Sequence, residues 1–244
     1  MVVHNCALPP FEHYTKIMEA EFYSQNPKFY VAVDCIILAF EDNKLKVLLQ
    51  KRDYDPFKGD LSLMGGFVQE GENVKDAAYR VLAERTGITK KVFINQVGAF
   101  GRVDRDPGAR VISVAYYALV DKSLCDENLN KKYFGFWANL ENMPKLNFGH
   151  GDMVTKAIHL LRERIGKSPV GFHLLPELFT LNQLQCLYEA ILGEELDKRN
   201  FRKKVAEMKF IEKTEKMDKI HSRRGAVLYQ FNKEEYDNIN KFKL

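Results

Sequence analysis

The chain has 244 residues, 45% of them hydrophobic and 29% charged, a globular composition that excludes disordered, collagen-like and low-complexity classes. Its longest apolar run, Val111 to Val120, is too short to span a bilayer and is broken by Ser113, and the first residues lack the basic region and apolar core of a secretory signal. The formal net charge is +4, yet Asp197 to Tyr229 alone holds eleven Lys/Arg against five Asp/Glu, a net of +6 that leaves −2 elsewhere. This asymmetry points to an anionic partner for that stretch, most simply nucleic acid.

Residues 1–27 read as an N-terminal extension, with Pro9-Pro10 blocking regular structure and Glu12 to Tyr23 spaced for one amphipathic helix. Tyr30 to Phe40 and Leu45 to Gln50 form a predicted hairpin around the turn Glu41 to Lys44. Leu61 to Val68 is a further strand carrying a Gly pair. Asn73 to Arg85 has helical periodicity, with Gly87 placed to end the helix in a left-handed conformation. Strands over Val92 to Phe100, Val111 to Val120 and Tyr133 to Ala138 precede a helix over about Asp152 to Ile165. A β-rich order with two helices inserted predicts an α+β sandwich over residues 28–165 rather than a doubly wound sheet.

Gly166 to Gly171 has the composition of a linker. Beyond it, Thr180 and Gln183 fit a capping box opening a helix over Leu181 to Leu192. Gly193 closes that helix, and Asp197 caps a second one running to about Lys209. Phe210 to Thr214 and Ala226 to Phe231 are two strands joined by a basic loop. The four cysteines, Cys6, Cys35, Cys125 and Cys186, show neither CxxC spacing nor a Cys/His cluster. Reduced thiols in a cytoplasmic protein are expected, without a zinc site.

Two constellations carry chemistry. From Gly66 to Ile88 the chain reads GFVQEGENVKDAAYRVLAERTGI. Gly66, Glu72, Arg80, Leu82, Glu84, Gly87 and Ile88 resemble the Nudix signature at the right spacing. In that family the helix carboxylates share one face and hold divalent cations against a diphosphate while water attacks. Val81 and Arg85 stand where two of those carboxylates belong. The resemblance therefore implies the Nudix fold without efficient hydrolysis, and no catalytic residue, metal ligand or cofactor is assigned. A ligand pocket is expected to outlast the chemistry. Gly65 and Gly66 allow close backbone approach. Arg102, Asp104, Arg105, Asp106 and Arg110 lie in a loop suited to a polyhydroxylated or phosphorylated ligand, and Trp137 can stack on a ring.

The second constellation is the tail. Phe201, Val205 and Met208 share one helix face, and Lys198, Arg199, Asn200, Arg202 and Lys203 offer cations and an amide on the other side. Arg and Asn can read guanine and adenine edges, and Lys can meet phosphates. Lys219, Arg223 and Arg224 sit near the tip of the following hairpin. Helix, short turn, basic helix and basic hairpin together make a winged helix-turn-helix over residues 172–244 that binds double-stranded DNA. RNA is a poorer fit, because no aromatic platform interleaves the basic residues.

A Nudix-like domain followed by a winged helix resembles the NrtR-like transcriptional regulators. The stretches MGGFVQ, VGAFGRVDRDPG, LLPELFTLNQLQCLYEAI and DKRNFRK are most similar to the AraR-type group that responds to L-arabinose. This resemblance implies a homodimeric repressor, away from membranes, whose front domain senses a small effector, a sugar or an ADP-ribose-type nucleotide. The competing expectation is an active Nudix hydrolase of ADP-ribose or a sugar nucleotide with an accessory C-terminal domain.

Overall fold

A computed structural model describes residues 24–89, 92–126, 132–219 and 225–237. The expected helix at Glu12 to Tyr23 and Cys6 lie outside the described residues. Seven strands, β1 (Tyr30–Glu41), β2 (Lys44–Lys51), β3 (Leu61–Ser62), β4 (Met64–Phe67), β5 (Phe93–Phe100), β6 (Val111–Leu119) and β7 (Gly135–Asn139), form one sheet. Its order is β3-β2-β1-β6-β5, with β4 paired to β1 and β7 to β2. β1 and β6 run parallel at the centre, and every other pairing is antiparallel.

The central strands are apolar on both sides because both sides are covered. Along β1, Ile36 and Leu38 join one core while Val33, Cys35, Ile37 and Ala39 join the other. β6 divides the same way, with Tyr117 and Leu119 opposite Tyr116 and Ala118. The helix α1 (Val74–Thr86) closes one face through Ala77, Ala78, Val81 and Leu82. The helix α2 (His150–Ile165) closes the other through Met153, Val154, Ala157, Leu161 and Ile165. This is the α+β sandwich the sequence predicts.

One expected strand is two. Leu61–Ser62 pairs with β2, whereas Met64–Phe67 pairs with β1, so the chain steps from one neighbour to the next at Leu63. The step is tight: a Cβ on Gly65 would stand 2.5 Å from Asp34 Oδ1 and 2.8 Å from the Val33 carbonyl oxygen. Only glycine lets β4 lie this close to β1.

After a 3₁₀ turn at Val170–Leu174 come α3 (Leu181–Leu192), α4 (Lys198–Ala206), the hairpin β8 (Ile211–Asp218) and β9 (Ala226–Phe231), and a short α5 (Lys233–Asp237). The capping box is present: Thr180 Oγ1 accepts from the Gln183 N–H, and the Gln183 side chain accepts from the Thr180 N–H. Gly193 ends α3 in the left-handed region at φ 78. Phe179 makes an isolated antiparallel bridge to Tyr229 and ties the segment before α3 to the hairpin. Helix α4 stops at Ala206, short of the expected Lys209, because the Glu207 and Met208 N–H groups turn back onto Lys204 and Val205 and the chain enters β8. Phe172 stacks on Phe231 at 4.6 Å between ring centres, and Phe179, Phe210 and Tyr236 surround the pair.

The core under α2 continues without a break into Leu184, Leu187, Tyr188 and Ile191 of α3 and Phe201 and Val205 of α4. Arg162 of α2 donates its Nε–H to the Ile191 carbonyl at 2.7 Å, satisfying an otherwise unpaired group at the end of α3. The tail is therefore packed onto the sandwich and not merely tethered to it. Thr180→Ala removes one cap and is expected to cost about 1 kcal/mol, read as a shift of the urea midpoint at unchanged slope.

Candidate functional site

The loop before α1 and the helix itself are joined by one guanidinium. Arg80 donates Nε–H to Glu72 Oε2 at 3.0 Å and Nη2 to Glu72 Oε1 at 2.7 Å, and it reaches the Phe67 carbonyl at 3.0 Å. The Gln69 N–H also donates to Glu72. Hydrogen bonds from Arg80, and after them the one from Gln69, hold the Glu72 carboxyl below its ordinary range. Glu84, one turn on, stands 3.5 Å from Arg80 Nη1. Val81 is 1% exposed within the apolar core of this face, its Cγ2 lying 3.1 Å from where a Cβ on Gly66 would be. A carboxylate at position 81 would enter that core unpaired. The Arg85 guanidinium lies 3.8 Å above the Tyr133 ring, with its Nε buried and without a hydrogen bond. As arranged, these groups are a poor set for a divalent cation: Glu72 is paired with Arg80, Glu84 lies within 3.5 Å of the same guanidinium, and Arg85 adds a second positive charge beside it. Among the described residues no group of three or more His, Cys, Asp or Glu side chains could hold a metal ion.

The loop over residues 101–110 splits the expected effector residues. Arg102 and Asp104 pair at 2.7 Å on the surface. Asp106 accepts from the Gly108 N–H and shapes a turn. Arg110 reaches back to the Arg102 carbonyl and lies 5.3 Å over the Phe29 ring. Arg105 instead is buried. Its Nη1 donates to Asp34 Oδ2 at 3.3 Å and to the Phe148 carbonyl at 3.1 Å. Ser113 donates to the same Asp34 oxygen at 2.6 Å, and His150 Nε2 lies 3.4 Å from the other. His150 Nδ1 accepts from the Leu63 N–H, so the ring proton sits on Nε2, toward Asp34. Burial alone would raise the Asp34 carboxyl, but His150, Arg105 and Ser113 outweigh it and hold it at about 2.

Gly65 and Gly66 lie on β4, where they pair with Asp34 and Val33. Trp137 lies on β7 opposite Leu48, half-buried against the α1-side core. The eight expected effector residues thus divide among a buried network, a strand pair, an exposed loop and a sheet edge. The sequence reading missed Asp34 and His150. A lone aspartate inside VAVDCIILAF was the available signal, since a buried charge demands partners.

The tail presents a cleaner surface. Phe201 and Val205 are the buried residues of α4, leaving Lys198, Arg199, Asn200, Arg202, Lys203 and also Lys204 exposed. The Asp197 side chain accepts from the Asn200 N–H at 2.8 Å and fixes the helix start. The preceding turn is fixed as well: Gln185 donates to the Leu196 carbonyl at 3.0 Å, and the Leu196 N–H donates to Glu189. Lys219 is exposed at the end of β8, while Arg223 and Arg224 lie outside the described residues. A cationic helix is thereby held at a set angle beside a hairpin, the geometry of a recognition helix with its wing.

Comparison with known proteins decides the family. The NUDIX domain family matches residues 28–156, and the NrtR DNA-binding winged helix domain family matches residues 171–231. A protein of Acinetobacter baylyi named ADPR responsive transcriptional repressor NtrR is 34% identical over 218 residues, covering 88% of this chain and 86% of that protein. The chain belongs to the NrtR-like family of Nudix and winged-helix regulators.

Within that family, the crystal structure of Shewanella oneidensis NrtR complexed with a 27mer DNA superposes with a TM-score of 0.76 at 29% identity, covering 87% of this chain and 97% of that one. An ADP-ribose pyrophosphatase of Methanocaldococcus jannaschii is 39% identical over 127 residues, covering 51% of this chain and 70% of that enzyme. The family expected from the sequence is therefore supported. Its arabinose-responsive subgroup is not, since the Acinetobacter and Methanocaldococcus relatives are both named for ADP-ribose. No helix among the described residues is long and apolar enough to cross a membrane.

Proposed function

We propose that this chain is an effector-responsive transcriptional repressor. Its winged helix grips operator DNA, and its Nudix domain binds a metabolite without efficiently hydrolysing it. The observation that carries this reading is the capped, exposed cationic helix α4, packed through one continuous core onto a Nudix fold whose α1 offers Val81 and Arg85 where carboxylates would serve chemistry. The proposed effector is an ADP-ribose-type nucleotide, the class in the names of both relatives. Arg85 supports it, since a guanidinium beside the site meets a diphosphate by charge where a cation would otherwise stand. L-arabinose rests on sequence resemblance alone. A dimer reading a palindromic site is part of the proposal, because one α4 spans only a half-site.

The mechanism is a shift of population. The effector binds one arrangement of the two domains more tightly than the DNA-competent one, and a difference of roughly 1–3 kcal/mol weakens operator binding about 5- to 150-fold. The test begins with selection of duplexes from a random library by the full chain. A palindromic sequence should emerge, bound with a steep salt dependence. Recovery of no preferred sequence would refute the repressor reading. A second reading, a working ADP-ribose hydrolase, is favoured by the identity to the pyrophosphatase and is separated by turnover with magnesium.

A further inference from the structure

A cavity of about 270 Å³ opens on the α2 face of the sheet, lined by Asn95, Tyr117, Leu160, Glu163, Arg164, Lys167 and Ser168. It lies on the opposite side of the sheet from α1, since Tyr117 belongs to the core under α2. The volume is large against the roughly 30 Å³ that one water takes in the liquid.

Two features distinguish it from an ordinary crevice. Tyr117 is 0% exposed, and its hydroxyl faces the Arg164 guanidinium without a hydrogen bond of good geometry. Arg164 Nε is likewise buried without one. Buried polar atoms are usually well paired, so two neighbouring groups on one cavity wall that are poorly paired with each other mark a place where a further partner fits. The site is also held in shape. Asn95 and Tyr117 are cross-strand partners on β5 and β6. Phe93 packs on the Tyr117 ring, and the Arg164 guanidinium lies 5.1 Å over Phe93.

The charge favours an anion. Arg164 and Lys167 bring two cationic groups. Against them stand the roughly half negative charge at the C-terminal end of α2 and Glu163, which is engaged by His159 at 3.3 Å. The Tyr117 hydroxyl and the second N–H of the Asn95 amide, whose first donates to the Gln96 carbonyl, can donate hydrogen bonds, and Ser168 can do so by turning from the Arg164 carbonyl. We propose that this cavity binds a small oxyanion, the phosphate or carboxylate of a metabolite, with Arg164 and Lys167 as counter-charges and Tyr117 as a neutral donor. Lys167 and Ser168 begin the connection to the winged helix, so an occupant would touch the joint between the two domains. This site is independent of the effector reading above.

The test is calorimetric titration of the full chain with inorganic phosphate, with malonate, and with chloride at matched ionic strength. Phosphate or malonate should bind saturably where chloride does not, and the better of the two assigns the headgroup. Tyr117→Phe should change the stability of the unliganded protein little, because the hydroxyl it deletes is only poorly paired with Arg164, yet weaken anion binding about tenfold. Arg164→Gln should weaken it further. Arg199→Ala on α4 should leave it unchanged, excluding the DNA-facing cations as the site. Binding no stronger than chloride, or equal affinity in folded Tyr117→Phe, would overturn the proposal.

Discussion

Asp34→Ala is expected to destabilise the protein by about 3–5 kcal/mol, the cost of leaving buried partners of an ion pair uncompensated. Asp34 and Arg105 are buried residues 71 positions apart, and Ser113 and His150 complete the set. Removing the carboxylate strands a guanidinium that is only 8% exposed and keeps one acceptor, the Phe148 carbonyl. The same network sets an acid limit. The Asp34 carboxyl is held at about 2 against an ordinary 3.8. A carboxyl depressed in the folded state contributes stability above its unfolded value and loses it as pH falls through the folded one. Between about pH 4 and pH 2 the protein should therefore lose about 2 kcal/mol through this group, and Asp34→Ala should lack that part of the acid transition. Urea denaturation across this range checks both. A loss under about 1 kcal/mol at neutral pH would show the network to be dispensable.

The second large effect is at the DNA. On the selected duplex, Arg199→Ala should cost about 1–3 kcal/mol, tenfold or more in affinity, and relax base preference at one position. Lys203→Ala should weaken binding to all duplexes alike and reduce the slope of log affinity against log salt by about one. The contrast follows from placement. Both side chains are exposed on α4, whose start is fixed by Asp197 and whose buried side is fixed by Phe201 and Val205. Undiminished, equally selective binding by Arg199→Ala would mean that α4 does not enter the groove.

Local chemistry made much of this fold readable. The capping box at Thr180, the left-handed glycines after α1 and α3, and the limits of α3 and β9 all follow from short-range signals. The box from Gly66 to Ile88 was readable for the same reason, as a fixed spacing within one loop and helix. What escaped was set by distant contacts. Arg105 looked like its neighbours Arg102 and Arg110, and only the meeting of the 101–110 loop with β1 sends it inward to Asp34. The strand expected over Leu61 to Val68 divides because its halves serve different neighbours, which no pattern inside the segment encodes. Helix α4 ends early because the turn into β8 takes its last N–H groups.

The central claim is that a Nudix domain here serves as a sensor for a DNA-binding tail and not as an enzyme. One sample tests it: the full chain on its selected duplex with magnesium, titrated with ADP-ribose and separately with L-arabinose, while anisotropy reports the DNA and chromatography reports the nucleotide. ADP-ribose should release the duplex with a 5- to 150-fold fall in affinity and be recovered intact. Turnover at ordinary enzyme rates, about 1–10³ per second, with the duplex still bound, would contradict the account.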